Sequence, residues 1–257
     1  MNRKPPVNAK KILRDEVGFG CPIDGCDRPY LEWHHFDPPW HEREHHDPQG
    51  MIALCREHHI QADNGAFTKE QLHVLKKSCK ERSRQISGKF NWLRNKLLVV
   101  VGGNFYYETL TIFEFRGQPV IWFERDDNGY LLLNIRMLSV SGKPRAEILK
   151  NEWFNVGGEE DIECPPSAKR LRVSYPNGDL VSIEFFELAS VADVSKRYPS
   201  VDPEDWPSEI DYPITAVEVV NVVAGTDIQF NAKETHLGGM RISNCFMKTN
   251  GVALRVS

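Results

Sequence analysis

The sequence predicts an α+β protein in which a small domain rich in histidine and cysteine precedes an all-β domain. The chain has 257 residues, which exceeds the usual size of about 100–150 residues for a single domain, so two domains are expected. Seven of the nine histidines lie between His34 and His59. After residue 88, short runs of alternating apolar and polar residues take over. We therefore predict one domain over residues 1–88 and a second over 89–257.

The two parts also differ in charge. The whole chain has a net charge of −4, but the first 100 residues carry 17 Lys and Arg against 13 Asp and Glu, whereas the remainder carries 15 against 23. The basic part suits a nucleic-acid partner, and the acidic part does not. No apolar run approaches the roughly 20 residues of a membrane span, and the N-terminus has no apolar signal core. We expect a cytoplasmic protein that does not contact a membrane.

The first domain is predicted to consist of short elements. A basic arm precedes an amphipathic helix over residues 9–17, which Gly18 and Gly20 end. The sequence FDPPW at residues 36–40 cannot be regular structure, because its prolines lack amide donors. Thr68 is a suitable N-cap for a helix over residues 68–86, in which apolar side chains recur at helical spacing.

The second domain is predicted to be all-β. Turn signals such as Asn177-Gly178 separate runs that alternate like strands. These runs cover residues 97–101, 111–115, 120–123, 130–135, 171–175, 180–186, 217–223 and 251–256. A sandwich and an irregular β-solenoid both fit this pattern. The acidic stretch 191–213, which contains prolines, is predicted to be a long loop, and Cys164 and Cys245 are expected to be buried or half-buried thiols.

Three cysteines and a histidine have the spacing of a zinc site. Cys21 and Cys26 are followed, after 28 residues, by Cys55 and His58, and two such pairs suit tetrahedral Zn²⁺. In a chain without a secretion signal, clustered cysteines indicate a metal before disulfides. The alternative is three buried free cysteines beside a surface histidine.

A second set of residues could hold another divalent ion. If a helix begins near His58, then His59 and Asp63 are four residues apart on one helical face. An imidazole and a carboxylate there need a third ligand from elsewhere, which His34 or His35 could supply. These two histidines point in opposite directions if their segment is extended, so one could bind metal while the other faces a reacting water.

The order of these motifs resembles that of HNH endonucleases of the ββα-metal type. The shared features, over about residues 12–80, are a Cys pair, a His-His dipeptide after a hydrophobic strand, and Leu-Cys-x-x-His-His with an acid four residues on. The resemblance implies two strands and a helix around a catalytic Mg²⁺ or other divalent ion. It assigns His35 as general base, and it assigns the metal ligands as His34, His59 and Asp63 for the catalytic ion and Cys21, Cys26, Cys55 and His58 for a structural zinc. The implied activity is hydrolysis of DNA, with RNA left open, in a bacterial or phage defence setting.

One position departs from the family pattern. The family's central Asn, which braces the loop carrying the base, lies five residues before the Cys of that motif, where this chain has Gly50. Asp47 or His46 could substitute, or backbone bonds or packing of FDPPW could hold the loop. Gly50 also supports an alternative reading, in which the domain is a degenerate, non-catalytic module that binds nucleic acid or serves in assembly.

Basic residues around these motifs could contact phosphates. Arg43 and Arg56 could neutralise charge near the site. Nine Lys and Arg against two acids lie between residues 68 and 96, and we expect backbone contacts there from Lys76, Lys77, Lys80, Arg82 and Arg84. Nothing in this stretch specifies readout of bases. For the acidic β domain we expect a protein partner or self-association.

Overall fold

The fold is mixed α+β and is dominated by β-sheet. A computed structural model describes residues 2–78 and 86–257. Within these residues the helices are α1 (Val7–Glu16), α2 (Arg56–Asp63), α3 (Lys69–Ser78) and α4 (Val191–Arg197). None of these described helices is both long enough and apolar enough to span a bilayer.

The strands of the described residues are numbered in chain order. They are β1 (Leu31–His35), β2 (Met51–Cys55), β3 (Ser87–Lys89), β4 (Leu98–Val101), β5 (Asn104–Tyr107), β6 (Thr111–Phe115), β7 (Gln118–Arg125), β8 (Leu131–Arg136), β9 (Glu147–Leu149), β10 (Glu152–Phe154), β11 (Asp161–Glu163), β12 (Arg170–Ser174), β13 (Leu180–Leu188), β14 (Ile214–Val222), β15 (Gln229–Phe230), β16 (Thr235–Leu237), β17 (Met240–Ile242), β18 (Phe246–Met247) and β19 (Val252–Val256).

The N-terminal unit is built on one short hairpin. Strands β1 and β2 pair antiparallel, with Leu31 opposite Cys55 and His35 opposite Met51. A single 3₁₀ turn, Pro48–Gly50, leads into β2, and α2 follows β2 without a break. Helices α1 and α2 pack against this hairpin, and β2 is buried along its whole length. The hairpin is therefore the core of this unit.

The C-terminal unit is a sandwich of two sheets. One sheet has the order β19-β6-β7-β8-β9-β10-β3. The other has the order β11-β12-β13-β14-β15-β16-β17, and it is extended by β4 on β14, β5 on β4 and β18 on β5. Both sheets contribute side chains to one continuous core, in which the rings of Phe113 and Phe230 lie 4.8 Å apart across the sheets. Of the two predicted architectures, the structure therefore has the sandwich.

The predicted strands are confirmed, but one predicted loop is wrong. Each of the eight alternating runs coincides with an observed strand. The stretch 191–213, predicted to be a loop, begins with helix α4. Val194 of this helix is fully buried among aromatic side chains, and Lys196 and Arg197 in its last turn suit the helix dipole. Packing in the tertiary core thus stabilises a short helix. The acidic, proline-containing sequence around it had indicated a loop.

The boundary between the units lies slightly earlier than predicted. Strand β3 pairs with β10, so residues 87 and 88 belong to the β domain rather than to the first domain. Across the boundary, the Arg14 guanidinium donates two hydrogen bonds, of 2.8 and 2.6 Å, to the carboxylate of Asp161, and both side chains are largely buried. The Tyr30 hydroxyl donates to the carbonyl of Lys89 and accepts from its amide. These contacts attach the first unit to the sandwich.

Lys76 is a structural residue and not the phosphate contact that the sequence predicted. Its side chain is 8% exposed. The ammonium donates to the carbonyl of Met51 at 2.7 Å and to that of Pro48, and it lies 3.1 Å from the Glu16 carboxylate. These partners hold α3 against α1 and the start of β2. Lys77, by contrast, is exposed, while the predicted contacts Lys80, Arg82 and Arg84 lie outside the described residues.

We predict that Lys76→Ala lowers the free energy of unfolding of the N-terminal unit by about 2–4 kcal/mol. The change leaves two buried carbonyls and a carboxylate without their cation. Chemical denaturation monitored by circular dichroism measures the effect. Lys77→Ala is the matched control and should change stability by less than about 0.5 kcal/mol. Equal effects of the two substitutions would contradict the assigned role of Lys76.

Candidate functional site

The predicted zinc ligands converge at the open end of the hairpin. Their ligand atoms all lie within 4.8 Å of one another. The sulfurs of Cys26 and Cys55 are 3.7 Å apart, and Nδ1 of His58 lies 3.3 Å from the sulfur of Cys21 and 3.2 Å from that of Cys55. Two thiolates that are each about 2.3 Å from a tetrahedral zinc lie about 3.8 Å apart, so the cluster has the size of a zinc site.

The thiols of this cluster are free to act as ligands. All three cysteines are free thiols rather than members of a disulfide. Burial raises the pKa of both Cys21 and Cys26 above the usual thiol range. Protonated thiols form only weak hydrogen bonds with one another. A bound cation would displace the protons and stabilise the thiolates. The Cys₃His cluster can therefore hold a metal ion, and its donors suit zinc.

A second ligand cluster lies between β1 and α2. Nδ1 of His34 is 3.2 Å from Oδ1 of Asp63, and Nδ1 of His59 is 3.3 Å from Oδ2 of the same carboxylate. Two ligand atoms that are each about 2.1 Å from a shared ion lie about 3.0–3.4 Å apart. As predicted, His59 and Asp63 are one turn apart on a single face of α2. The third member is His34, because His34 faces α2.

The hydrogen bonding of His59 favours metal binding through Nδ1. Its Nε2 lies 3.4 Å from the backbone carbonyl of Trp33, which can only accept a hydrogen bond. Nε2 is therefore the donor in this contact, and Nδ1, which lies beside Asp63, is the nitrogen placed to bind a metal. Metal-binding histidines commonly have their other ring nitrogen oriented by such a partner. Glu32, which the sequence did not single out, places Oε2 3.7 Å from the same Nδ1. The alternation of side chains along a strand could have identified Glu32, since it places Glu32 on the same face of β1 as His34.

His35 lies beside this cluster and lines the same cavity, which has a volume of ≈ 340 Å³. Its ring is buried, and within the described part of the chain its nitrogens have no hydrogen bond of standard geometry, only a looser contact with the backbone of His45. A buried polar group of this kind is rare and marks a place for a water or a ligand. Burial, followed by the charge of His45, lowers the pKa of His35 to about 4. The imidazole is therefore neutral at physiological pH, the form that can accept a proton.

The loop that follows His35 is held by the backbone of Gly50. The carbonyl of Gly50 accepts hydrogen bonds from the amides of Phe36 and Asp37, at 3.0 and 3.1 Å. A Cβ at Gly50 would lie 1.9 Å from the Asp37 carbonyl oxygen, so this close approach requires glycine. An Asn side chain cannot be accommodated here. Of the braces considered from the sequence, the backbone bonds are observed, and so is packing of FDPPW, whose Trp40 ring lies 4.7 Å from that of His35.

His45 completes the brace from inside the loop. The amide of Asp47 donates to Nδ1 of His45, so Nε2 carries the proton and donates to the carbonyl of Pro38 at 2.9 Å. The His45 ring packs edge-on against that of His35, with centroids 5.2 Å apart. His46, one of the predicted substitutes, bonds to the backbone of the N-terminal arm instead, and Asp47 caps the 3₁₀ turn. The segment 41–46 is thus exposed at its start and structural at its end.

The cations near the cavity differ from those predicted. Arg43 and Arg56 are exposed, and neither lines the cavity. Arg3, from the N-terminal arm, and Lys69, at the start of α3, line it instead. Lys69 and His73 both contact the carboxylate of Asp37, and these contacts lower its pKa. Arg3 reaches the cavity because the N-terminal arm folds back against the hairpin. No pattern in the neighbouring sequence indicated this contact.

Comparisons with protein-family models, with curated proteins and with solved structures found no match to this chain. Its chemistry must therefore be argued from the site itself. The relevant features are two ligand clusters of different composition, one rich in thiols and one of imidazoles and a carboxylate. Such a division is expected when one metal is structural and the other acts on a substrate.

We predict that the purified protein holds about one tightly bound zinc per chain, because the Cys₃His cluster offers a complete tetrahedral donor set. Elemental analysis after dialysis measures the metal. Cys55→Ser should lose the zinc and destabilise the N-terminal unit. Cys245→Ser, which changes a half-buried thiol of the β domain, is the matched control and should retain it. Wild-type protein without zinc would contradict the assignment.

We also predict that Gly50→Ala lowers the free energy of unfolding by about 3 kcal/mol, because the new methyl group collides with the Asp37 carbonyl. Thermal or chemical unfolding measures the loss. Gly251→Ala is the matched control, since its Cβ would meet only the Thr249 hydroxyl oxygen, at 3.6 Å. A Gly50→Ala protein as stable as this control would show that the loop does not need the close backbone contact.

Proposed function

We propose that this chain is a metal-dependent endonuclease of the HNH ββα-metal type that hydrolyses DNA phosphodiester bonds. The observation that carries the proposal is the convergence of His34, His59 and Asp63 in one ligand cluster, two members of which, His34 and Asp63, line the same cavity as the neutral His35. The order of β1, β2 and α2 around these side chains matches the arrangement that the motif resemblance implies. The separate Cys₃His cluster suits the structural zinc of such a domain.

His35 is the proposed general base. It lies next to a ligand cluster, lines the cavity and is neutral, so it can accept a proton from a water that attacks phosphorus. The edge-on ring of His45 and the backbone bonds of Gly50 hold its loop in place. Such positioning matters because a general base acts only within hydrogen-bond reach of the proton that it removes.

The ligand cluster and two cations provide positive charge for the phosphate. A divalent ion held by His34, His59 and Asp63 would stabilise charge on the scissile phosphate and on the leaving oxygen. Arg3 and Lys69 extend into the same cavity and can neutralise the remaining phosphate charge. Hydrolysis adds water across the P–O bond, so the products are one phosphate end and one hydroxyl end.

The competing reading is a non-catalytic module that binds nucleic acid. Its support in the sequence was Gly50 in place of Asn. Because Gly50 and His45 together brace the loop, this substitution does not argue for a degenerate site. A module with only a structural zinc also has no need for the second cluster or for a buried histidine in the adjoining cavity.

We predict that the protein cuts supercoiled plasmid in the presence of Mg²⁺, Mn²⁺ or Ni²⁺, and that His35→Ala lowers the rate at least about 100-fold. This is the usual contribution of a positioned base. Gel analysis of nicked and linear products measures the rate, and a labelled RNA strand provides the RNA arm. His236→Ala, in the β domain, is the matched control and should cut like the wild type.

Zinc content and unfolding curves of each variant show whether the protein remains folded. A folded His35→Ala protein that cuts at the wild-type rate would exclude His35 as the base. A folded wild type that cuts neither DNA nor RNA with any of the three metals would reject the nuclease proposal and favour the binding module.

A further inference from the structure

A second cleft, of ≈ 410 Å³, lies where the N-terminal arm, α1 and β1 meet the β domain. Its lining includes four cationic side chains and one carboxylate, that of Glu163. The cations come from three parts of the chain and are Lys4, Lys10, Arg14 and Arg170. Because both units contribute, the cleft exists only in the folded two-domain protein, and no local pattern in the sequence indicated it.

Two of the four cations in the cleft form ion pairs with carboxylates, and the other two do not. Arg14 is held by Asp161, and Arg170 by Glu163. Neither Lys4 nor Lys10 is within ion-pair distance of a carboxylate in the described part of the chain. Burial and the nearby charges of Lys4, Arg14 and Arg170 lower the pKa of Lys10, which shows that like charges are crowded here. An anion in the cleft would relieve this repulsion.

The cleft adjoins the candidate active site along β1. The side chains of Leu31 and Trp33 line it, and they share a face of β1 with His35 by strand alternation. The backbone carbonyl of Trp33 contacts His59 of the ligand cluster. At the N-terminus, Arg3 lines the catalytic cavity, and the next residue, Lys4, lines the cleft. The cavity and the cleft are therefore lined by neighbouring residues both in the N-terminal arm and in β1.

We propose that this cleft binds the phosphodiester backbone of a nucleic-acid strand next to the bond that is cut. The inference rests on the proposed function for the identity of the substrate. The half-exposed Trp33, together with Val7 and Pro165, supplies an apolar surface beside the cations. Cations together with an aromatic ring suit a nucleotide strand, whose phosphates pair with lysines while a base stacks on the ring. A purely acidic peptide would make no use of the ring.

The test is a binding measurement without added divalent ion, so that no cutting occurs. Fluorescence anisotropy with labelled single-stranded DNA, duplex DNA and RNA gives Kd over a series of salt concentrations. We expect the double variant Lys4→Gln/Lys10→Gln to bind about 10-fold more weakly at 0.1 M salt. At this salt concentration each lost phosphate contact lowers the affinity measurably. The slope of log K against log salt should fall by about 1.4 for single strands or about 1.8 for duplex.

Matched variants separate this cleft from general charge effects. Lys143→Gln/Lys233→Gln removes two exposed lysines of the β domain and should bind like the wild type. An unchanged Kd and salt slope in Lys4→Gln/Lys10→Gln would overturn the proposal, and so would wild-type protein that binds no nucleic acid, or that binds polyglutamate as tightly as DNA.

The binding assay and the plasmid assay can each reject one proposal without rejecting the other. A protein that cuts plasmid but whose binding is indifferent to Lys4 and Lys10 would reject the cleft and retain the nuclease. A protein that cuts nothing but loses affinity in the double variant would reject the nuclease and retain the cleft as a nucleic-acid site.

Discussion

The register of the short ladder between β1 and β2 determines the position of both ligand clusters. With Leu31 opposite Cys55, the end of β2 faces the turn that carries Cys21 and Cys26. Helix α2 begins at the next residue and lies back over β1, so that its ligands reach His34. A slip of one residue would exchange the faces of the two adjacent histidines of β1. The ligand cluster would then lose His34, and His35 would point away from the cavity.

So small a unit needs more than its apolar core to maintain this register. The Cys₃His cluster ties the turn before β1 to the end of β2, and Lys76 ties α3 to the start of β2. The Arg14–Asp161 pair and the Tyr30 hydroxyl then attach the unit to a much larger sandwich. A cluster that can hold a metal ion, a buried ammonium and a domain interface thus contribute stability that larger domains obtain from apolar packing.

Gly50 illustrates how a motif can change while the geometry that it supports is kept. Judged by residue type alone, the loss of Asn suggests a failed site. In the folded chain, the absence of a side chain at Gly50 lets both the Asp37 carbonyl and the His45 ring approach, and the imidazole of His45 bonds the loop through the Pro38 carbonyl. Sequence reasoning missed His45 because its bonding partner, the Pro38 carbonyl, is a backbone atom that no residue pattern identifies. It missed Arg3 because the arm must first fold back.

The sequence by itself determined the features that depend on neighbours along the chain. The spacing of His59 and Asp63, the alternation of His34 and His35, the Cys and His pairs and the eight β runs are all local, and the structure contains them. Only the tertiary structure decided between sandwich and solenoid, formed α4, buried Lys76 and assembled the basic cleft. These features depend on which distant segments come into contact, and neither periodicity nor residue spacing encodes that contact.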